Sequence, residues 1–503
     1  MTVGSSEQGQ RKLHRSLSVW EAIGISLALM APSMAASINP QGTAGTVGRA
    51  VPVAFALAFV GVLLVAYTFV RLTQRFHHSG SVYGFVGATL GPTAGVISGW
   101  ALAGTYIFYA VTTAMAGGRF AAGFLDATGI WKMSATTTWP GFLLGALGMV
   151  IVWWVAVSPA RGGTRALLVA EGVTVALILI VIVIVFSKLA GHSGPGKLGV
   201  DWSVLSLPSG TPLSTIFLGV VFGFLSFAGF EAAATLGEET KHPRRDIPRA
   251  ILGVAIFGGI YFVVVTTVEV MGFGTSAKGV AAFINSSSLI GDLGTAYVSS
   301  WIGNIITIGA MVSAFSCALA STVGAARLIF ALSRDGVLPD RLATVSPAKR
   351  TPVTATGGVV LIVYLIVAFT WFVLRGTPFG LFAQAGTIGT LILLVVYILA
   401  TIGMIKLVFF SGENRVRKWE IAIPVLGIVV LAYTLFRNIW PLPTGVAWWG
   451  PLTAIVWIAI GVVGAAARPA ATRRAGQALT RAEGLGVAAA ESEAGQLSAE
   501  PAG

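Results

Sequence analysis

Three glutamates lie inside long apolar stretches of the sequence, where a charged side chain is costly. They are Glu171, Glu231 and Glu269. A carboxylate within a bilayer is stable only when it is protonated or paired, so such a residue is a candidate site for a proton or for the ammonium group of a substrate. Glu269 lies near the end of its stretch, and there we predict a solvated residue at the membrane interface.

Glu231 follows a stretch in which Gly223, Ser226 and Gly229 interrupt the apolar residues. This pattern predicts a broken helix, whose free backbone groups are tolerated at membrane depth only next to protein or a watery cavity. Glu231 could then bind a substrate ammonium group or a proton. Alternatively, it could accept N–H bonds at the start of the second half-helix, and the small residues could serve helix packing.

A second interruption lies in the first apolar stretch, where Pro32 is surrounded by Ser33 and small alanines. The two interruptions fall in the first and the sixth apolar stretch, which is the spacing that an inverted repeat of five plus five helices gives. Broken helices in corresponding positions of two halves indicate a shared transporter site. The alternative is a simple proline kink unrelated to the second break.

The elements that must position these residues are membrane-spanning helices. Of the 503 residues, 55% are hydrophobic and only 10% are charged, whereas a soluble domain carries about 25% charged residues. This composition argues against a soluble enzyme and against a nucleic-acid-binding module. A helix needs about 20 apolar residues to cross a bilayer, and twelve stretches qualify. The sequence predicts an all-α polytopic protein with twelve transmembrane helices.

The basic residues predict the orientation of these helices. With the N-terminus in the cytoplasm, 24 of the 32 Lys and Arg residues fall in cytoplasmic segments, as the positive-inside rule requires. The net charge of +13 therefore needs no nucleic-acid partner. We expect a multi-pass protein of the plasma (inner) membrane with both termini in the cytoplasm. The single cysteine, Cys317, allows no internal disulfide, and no metal-ligand spacing or cofactor motif is visible.

Two long motifs and one short motif resemble a known family. The segment FAGFEAAATLGEETKHPRRDIPRA, residues 227–250, resembles the sixth helix and following loop of amino acid permeases of the amino acid–polyamine–organocation superfamily. RLIFALSRDGVLP at 327–339 resembles their loop after helix eight, and Ser79–Tyr83 resembles their turn before helix three. With the pattern of spans, the resemblance covers about residues 16–467.

The resemblance implies a leucine-transporter-type fold and a transport function. Residues 20–189 would form the first repeat, 212–409 the second, and 418–467 two peripheral helices. The tails at 1–19 and 468–503 would be cytoplasmic, and the second disordered. The chain would be a secondary active transporter, not an enzyme, that imports an amino acid by alternating access.

The family's substrate site can be carried over by position. It comprises Met30, Ala31, Pro32 and Ser33 of helix 1 and Phe227, Ala228, Gly229, Phe230 and Glu231 of helix 6. Such permeases usually have Gly-(Ser/Thr)-Gly in helix 1, where this chain has Met-Ala-Pro. Proline removes an N–H donor, so carboxylate binding is in question. An amine or polyamine is therefore an alternative substrate. For Glu231 we favour the structural role.

Ion coupling is expected at Glu171, close to the position where some proton-coupled members carry a lysine. It could equally tie helix 5 to helix 1 or helix 8 by hydrogen bonds. Ser313 and Ser316 lie on helix 8, where sodium-coupled members place hydroxyl groups, although small residues also allow close helix packing. The sequence thus predicts H⁺ or, alternatively, Na⁺ as the coupling ion. It does not distinguish symport from exchange, and it does not indicate an oligomeric state.

Overall fold

The computed structural model describes residues 18–76, 82–134, 137–158, 163–236, 240–346, 351–410 and 416–482. Within these ranges the chain consists of helices joined by turns and short loops, and no β-strand element occurs. Eleven helical segments of this part of the chain are long and apolar enough to cross a membrane. The prediction of an all-α polytopic membrane protein is confirmed.

The α-helices are bounded as follows. They are α1 (Val19–Met30), α2 (Pro32–Val47), α3 (Val51–Arg75), α4 (Val82–Leu90), α5 (Pro92–Ala127), α6 (Trp139–Val157), α7 (Gly163–Ala190), α8 (Ile216–Phe227), α9 (Pro243–Phe273), α10 (Ala277–Asn285), α11 (Leu289–Tyr297), α12 (Ser300–Arg334), α13 (Val353–Ala368), α14 (Pro378–Phe409), α15 (Ala422–Ile439), α16 (Trp449–Ala467) and α17 (Pro469–Ala482).

The first spanning segment, Val19–Arg75, has 57 residues and comprises α1, α2 and α3. Such a length of helix would measure roughly 85 Å, against about 30 Å for the bilayer core. The chain turns within it at Gly48–Ala50, where Gly48 has a φ of 59°. The count of twelve spans, the five-plus-five arrangement and the domain limits stay predictions.

The centre of the molecule is a set of closely packed long helices. The 36-residue helix α5 packs along α12 and α14, and α3 packs along α9. Helix α2 packs against α8. Helix α2 also contacts α3, α9 and α12, and α8 also contacts α3 and α14. Large apolar side chains such as Ile151 and Val183 remain exposed on outer helices, as is expected of surfaces that face lipid.

The prediction of a disordered tail at 468–503 is wrong for its first part. Residues Pro469–Ala482 form helix α17, which packs against α4 and α5. The alanine-rich sequence favours a helix, and Ala471, Thr472 and Ala475 are buried on one of its sides. The arginine that precedes the helix, Arg468, donates to the Val337 carbonyl. The tail residues 1–17 and 483–503 lie outside the described residues.

The loop between α7 and α8 is held by Asp201. Its carboxylate accepts hydrogen bonds from the Thr275 hydroxyl and from the Ser203 backbone N–H. These bonds hold the pKa of the Asp201 carboxyl below its usual value. The loop is thereby fastened to the segment that follows α9.

Candidate functional site

The predicted interruption of the first helix is present at Ala31. Helix α1 ends at Met30, Ala31 adopts left-handed angles (φ 47°, ψ 59°), and α2 begins at Pro32. A residue before proline is disfavoured in the right-handed helical region, and proline suits the first position of a new helix. The local sequence therefore explains why the helix is interrupted at Ala31.

The second predicted interruption lies at the end of α8. This helix stops at Phe227, residues 228–231 form turns, and a short 3₁₀ helix follows at Ala232–Leu236. Gly229 has a φ of 100°, which residues with a side chain rarely adopt. The chain can change direction at this residue because it has no Cβ atom.

The two interruptions meet. A Cβ atom added at Gly229 would lie 2.7 Å from Leu29 Cγ, so the glycine allows the end of α1 to approach the α8 break. The Ala233 backbone N–H donates to Ser26 Oγ over 2.9 Å. The helix divided at Ala31 and the helix divided at 228–231 therefore form one site.

Replacing Gly229 with alanine is expected to abolish transport. The new Cβ atom would collide with Leu29, and a left-handed alanine adds about 1–2 kcal/mol of backbone strain. Uptake into vesicles and the melting temperature of the purified protein measure the effect. Gly253→Ala is the matched control, because no atom beyond its own stretch of helix lies within 4 Å of its added Cβ and its φ is unstrained. Full activity of Gly229→Ala would show that the close approach is dispensable.

A small cavity lies where the interruptions meet. We call it the central cavity. It is bounded by α1, α2, α5, the end of α8, α12 and α14. Its lining residues are Leu29, Met30, Met34, Thr105, Tyr106, Tyr109, Thr112, Thr113, Leu225, Ala228, Gly229, Glu231, Cys317, Ser321 and Leu393.

The predicted substrate residues divide into two groups. Met30, Ala228, Gly229 and Glu231 line the central cavity, whereas Ala31, Pro32, Ser33, Phe227 and Phe230 do not. Phe227 instead stacks on Phe59 and meets Phe262 edge to face, and Phe230 packs against Phe69 and Tyr397. These two phenylalanines therefore pack against aromatic rings of neighbouring helices and not against the cavity.

Helix α5 contributes the largest group of lining residues that the family motifs did not indicate. Thr105, Tyr106, Tyr109, Thr112 and Thr113 all come from this helix. Their spacing of three to four residues places most of them along one face of the helix. That spacing is the signal that could have found them, although an ordinary packing face has the same periodicity.

Glu231 is the one acidic side chain in this lining. It is 6% exposed, and the described residues offer no hydrogen-bond partner to its Oε2 atom. The Tyr397 hydroxyl and the backbone N–H groups of Gly229 and of Glu231 itself face the carboxylate, and Tyr106 and Tyr109 are its electrostatic neighbours. The structural role favoured above explains the backbone N–H groups that face the carboxylate. It does not supply a hydrogen-bond partner for Oε2.

The start of α2 is occupied by side chains from other helices. The Ser33 N–H donates to Glu171 Oε1 over 2.9 Å, and the Met34 N–H donates to Ser313 Oγ over 3.3 Å. Glu171 therefore ties α7 to the first helix, as its structural alternative predicts. Ser316 does not join this group, because its hydroxyl donates to the Val312 carbonyl of its own helix.

The prediction of a solvated Glu269 is wrong. The side chain is 0% exposed, and neither carboxylate oxygen has a hydrogen-bond partner among the described residues. Helix α9 continues to Phe273 and packs against α3, α1 and α7, so neighbouring helices cover this position. Distance from the end of an apolar stretch does not reveal such lateral packing. Glu269 does not line the central cavity.

Comparison with known proteins shows the family of the chain. The sequence pattern of a family described as amino acid permease matches residues 17–463. The chain belongs to the amino acid permease family. It is therefore a membrane transporter and not an enzyme, and its substrate is a small molecule.

Individual relatives cover most or part of the chain. The branched-chain amino acid permease BcaP and the methylthioribose transporter of Bacillus subtilis are each 25% identical to it, over 91% of this chain and 94% of the relative. The vacuolar cationic amino acid transporter 4 of Arabidopsis thaliana is 28% identical over 61% of this chain and 51% of its own length. These relatives are named for chemically different solutes.

Proposed function

We propose that this permease is a secondary active transporter that imports an amino acid or a related amine by alternating access. The observation that carries the proposal is the meeting of two interrupted helices at a small cavity that contains a carboxylate oxygen without a partner. Interrupted helices that enclose a site at mid-depth are typical of secondary transporters. The relatives named for branched-chain and for cationic amino acids support the solute class.

A five-plus-five inverted repeat accounts for the positions of the two interruptions. The break at Ala31 lies in the first apolar stretch, and the break at 228–231 lies in the sixth. Movement of one repeat against the other would expose the central cavity to each side of the membrane in turn. Helices α15 and α16 would then be the peripheral pair. The distribution of Lys and Arg supports an inner-membrane location with cytoplasmic termini.

We assign the coupling proton to Glu171. As a carboxylate, it accepts the Ser33 N–H at the start of α2, where the helix dipole favours a negative charge. Protonation would remove that charge and weaken the tie between α7 and the first helix. Proton binding and the position of α2 are thereby linked. Sodium is the alternative, because Glu171 and Ser313 place oxygen atoms beside each other at the same helix end.

Uptake into proteoliposomes under separately imposed gradients tests the proposal. We expect an inward proton gradient to drive accumulation of a chemically unchanged solute, and an inward sodium gradient alone to have no effect. Accumulation that follows sodium instead would move the coupling to the alternative ion. Flux that ignores both gradients and shows no trans-stimulation would indicate a channel and overturn the proposal.

A further inference from the structure

We infer that the central cavity selects an organic cation, recognised through its amino group, and excludes a substrate carboxylate. The inference rests on the proposed transport function and specifies its substrate class. It follows from the hydrogen-bond donors and acceptors that the described lining residues leave available.

The interrupted first helix has no free N–H group to offer a carboxylate. The Ala31 N–H donates to the Leu27 carbonyl over 3.0 Å, and the Ala35 N–H donates to the Ala31 carbonyl over 2.9 Å. Proline at position 32 has no N–H. The remaining two donors, on Ser33 and Met34, are taken by Glu171 and Ser313. The N-terminal end of α2, which could bind an anion, is thus occupied by the carboxylate of Glu171.

Most side-chain donors of the lining are also committed. The hydroxyls of Thr105, Thr112 and Thr113 donate to the carbonyls of Gly389, Phe108 and Tyr109. The Cys317 thiol donates to the Leu29 carbonyl. The Tyr109 hydroxyl shares a hydrogen bond with Thr390, which leaves the hydroxyls of Ser321 and Tyr106 as the uncommitted donors among the described lining side chains. A carboxylate leaving water would recover few of its hydrogen bonds here, and burial of an unpaired charge is costly.

The available charge in the cavity is negative. Glu231 Oε2 has no partner of hydrogen-bond geometry, although the neutral Tyr397 hydroxyl faces the carboxylate, and neither Arg71–Glu420 nor Arg334–Asp335 includes Glu231. An ammonium group would pair with this carboxylate where water is scarce, and pairing offsets part of the cost of burying each charge. A second carboxylate would meet repulsion from Glu231. The apolar side chains of Leu29, Leu225 and Leu393 can then enclose the body of the solute.

Matched solutes that differ in the carboxylate test this inference. Thermal shift and calorimetry on the purified full-length protein would compare isopentylamine with leucine, tyramine with tyrosine, and cadaverine with lysine. Leucinamide, which keeps the shape of leucine without its negative charge, is the control. We expect at least one amine to bind at least tenfold tighter than its amino acid. If isopentylamine binds tighter than leucine, leucinamide should also bind tighter than leucine.

Each outcome bears on the inference. Amino acids that bind as tightly as their amines, or more tightly, would overturn it, and so would a complete lack of response to the amines. Gradient-driven uptake of amino acids alone would overturn this inference while leaving the proposed function intact. Amine binding without any gradient-driven uptake would instead support the inference and overturn the proposed function.

Discussion

Replacing Glu231 with glutamine is expected to lower the affinity for an amine substrate by roughly a hundredfold. The carboxylate is 6% exposed and its Oε2 atom has no partner, so it supplies the counter-charge for the bound ammonium group. Loss of one member of a buried ion pair costs about 3 kcal/mol or more, which corresponds to the stated change in affinity. Calorimetric titration of the purified variant measures the effect.

A second buried carboxylate provides the control for this variant. Glu269 is equally enclosed and lies away from the central cavity. We expect Glu269→Gln to retain the wild-type affinity, which separates a loss of the binding charge from a general response to a lost buried carboxylate. Unchanged amine affinity in Glu231→Gln would show that this residue only stabilises the helix break.

Replacing Glu171 with glutamine is expected to remove the dependence of uptake on the pH gradient. The amide oxygen of glutamine can still accept the Ser33 N–H that Glu171 accepts over 2.9 Å, so the start of α2 keeps its partner. The amide cannot bind the transported proton near neutral pH. Uptake in proteoliposomes should therefore follow the substrate gradient alone, without accumulation against it.

The serines of α12 supply the comparison for the coupling site. Ser316 bonds within its own helix, and Ser316→Ala should keep proton-driven uptake. Ser313 reaches the Met34 N–H, and Ser313→Ala should weaken uptake without making it dependent on sodium. Undiminished proton-driven accumulation in Glu171→Gln would remove this residue from the coupling step.

The two interruptions could be predicted because their causes are local. Pro32 disfavours a helical conformation at Ala31, and Gly229 permits a positive φ that other residues avoid. The apolar lengths and the charge content likewise required a bundle of membrane helices. In each case the physical cause lies within a few residues of the feature that it produces.

The composition of the cavity wall could not be predicted in the same way. Tyr106 and Tyr109 approach Glu231 only because α5 and the segment that follows α8 line the same cavity. The burial of Glu269 depends on helices distant in sequence, and the same holds for the contact between Ser33 and Glu171, which are 138 residues apart. A hydrophobic pattern shows that a helix has a buried face without showing which neighbour covers it.

A structure of the protein with a bound amine, determined by cryo-electron microscopy in a lipid nanodisc, tests the central claim most directly. We predict density for one solute in the central cavity, with its nitrogen within about 3.2 Å of a Glu231 carboxylate oxygen and both helices interrupted beside it. Solute density away from Glu231, or continuous helices through residues 28–35 and 224–232, would contradict the account.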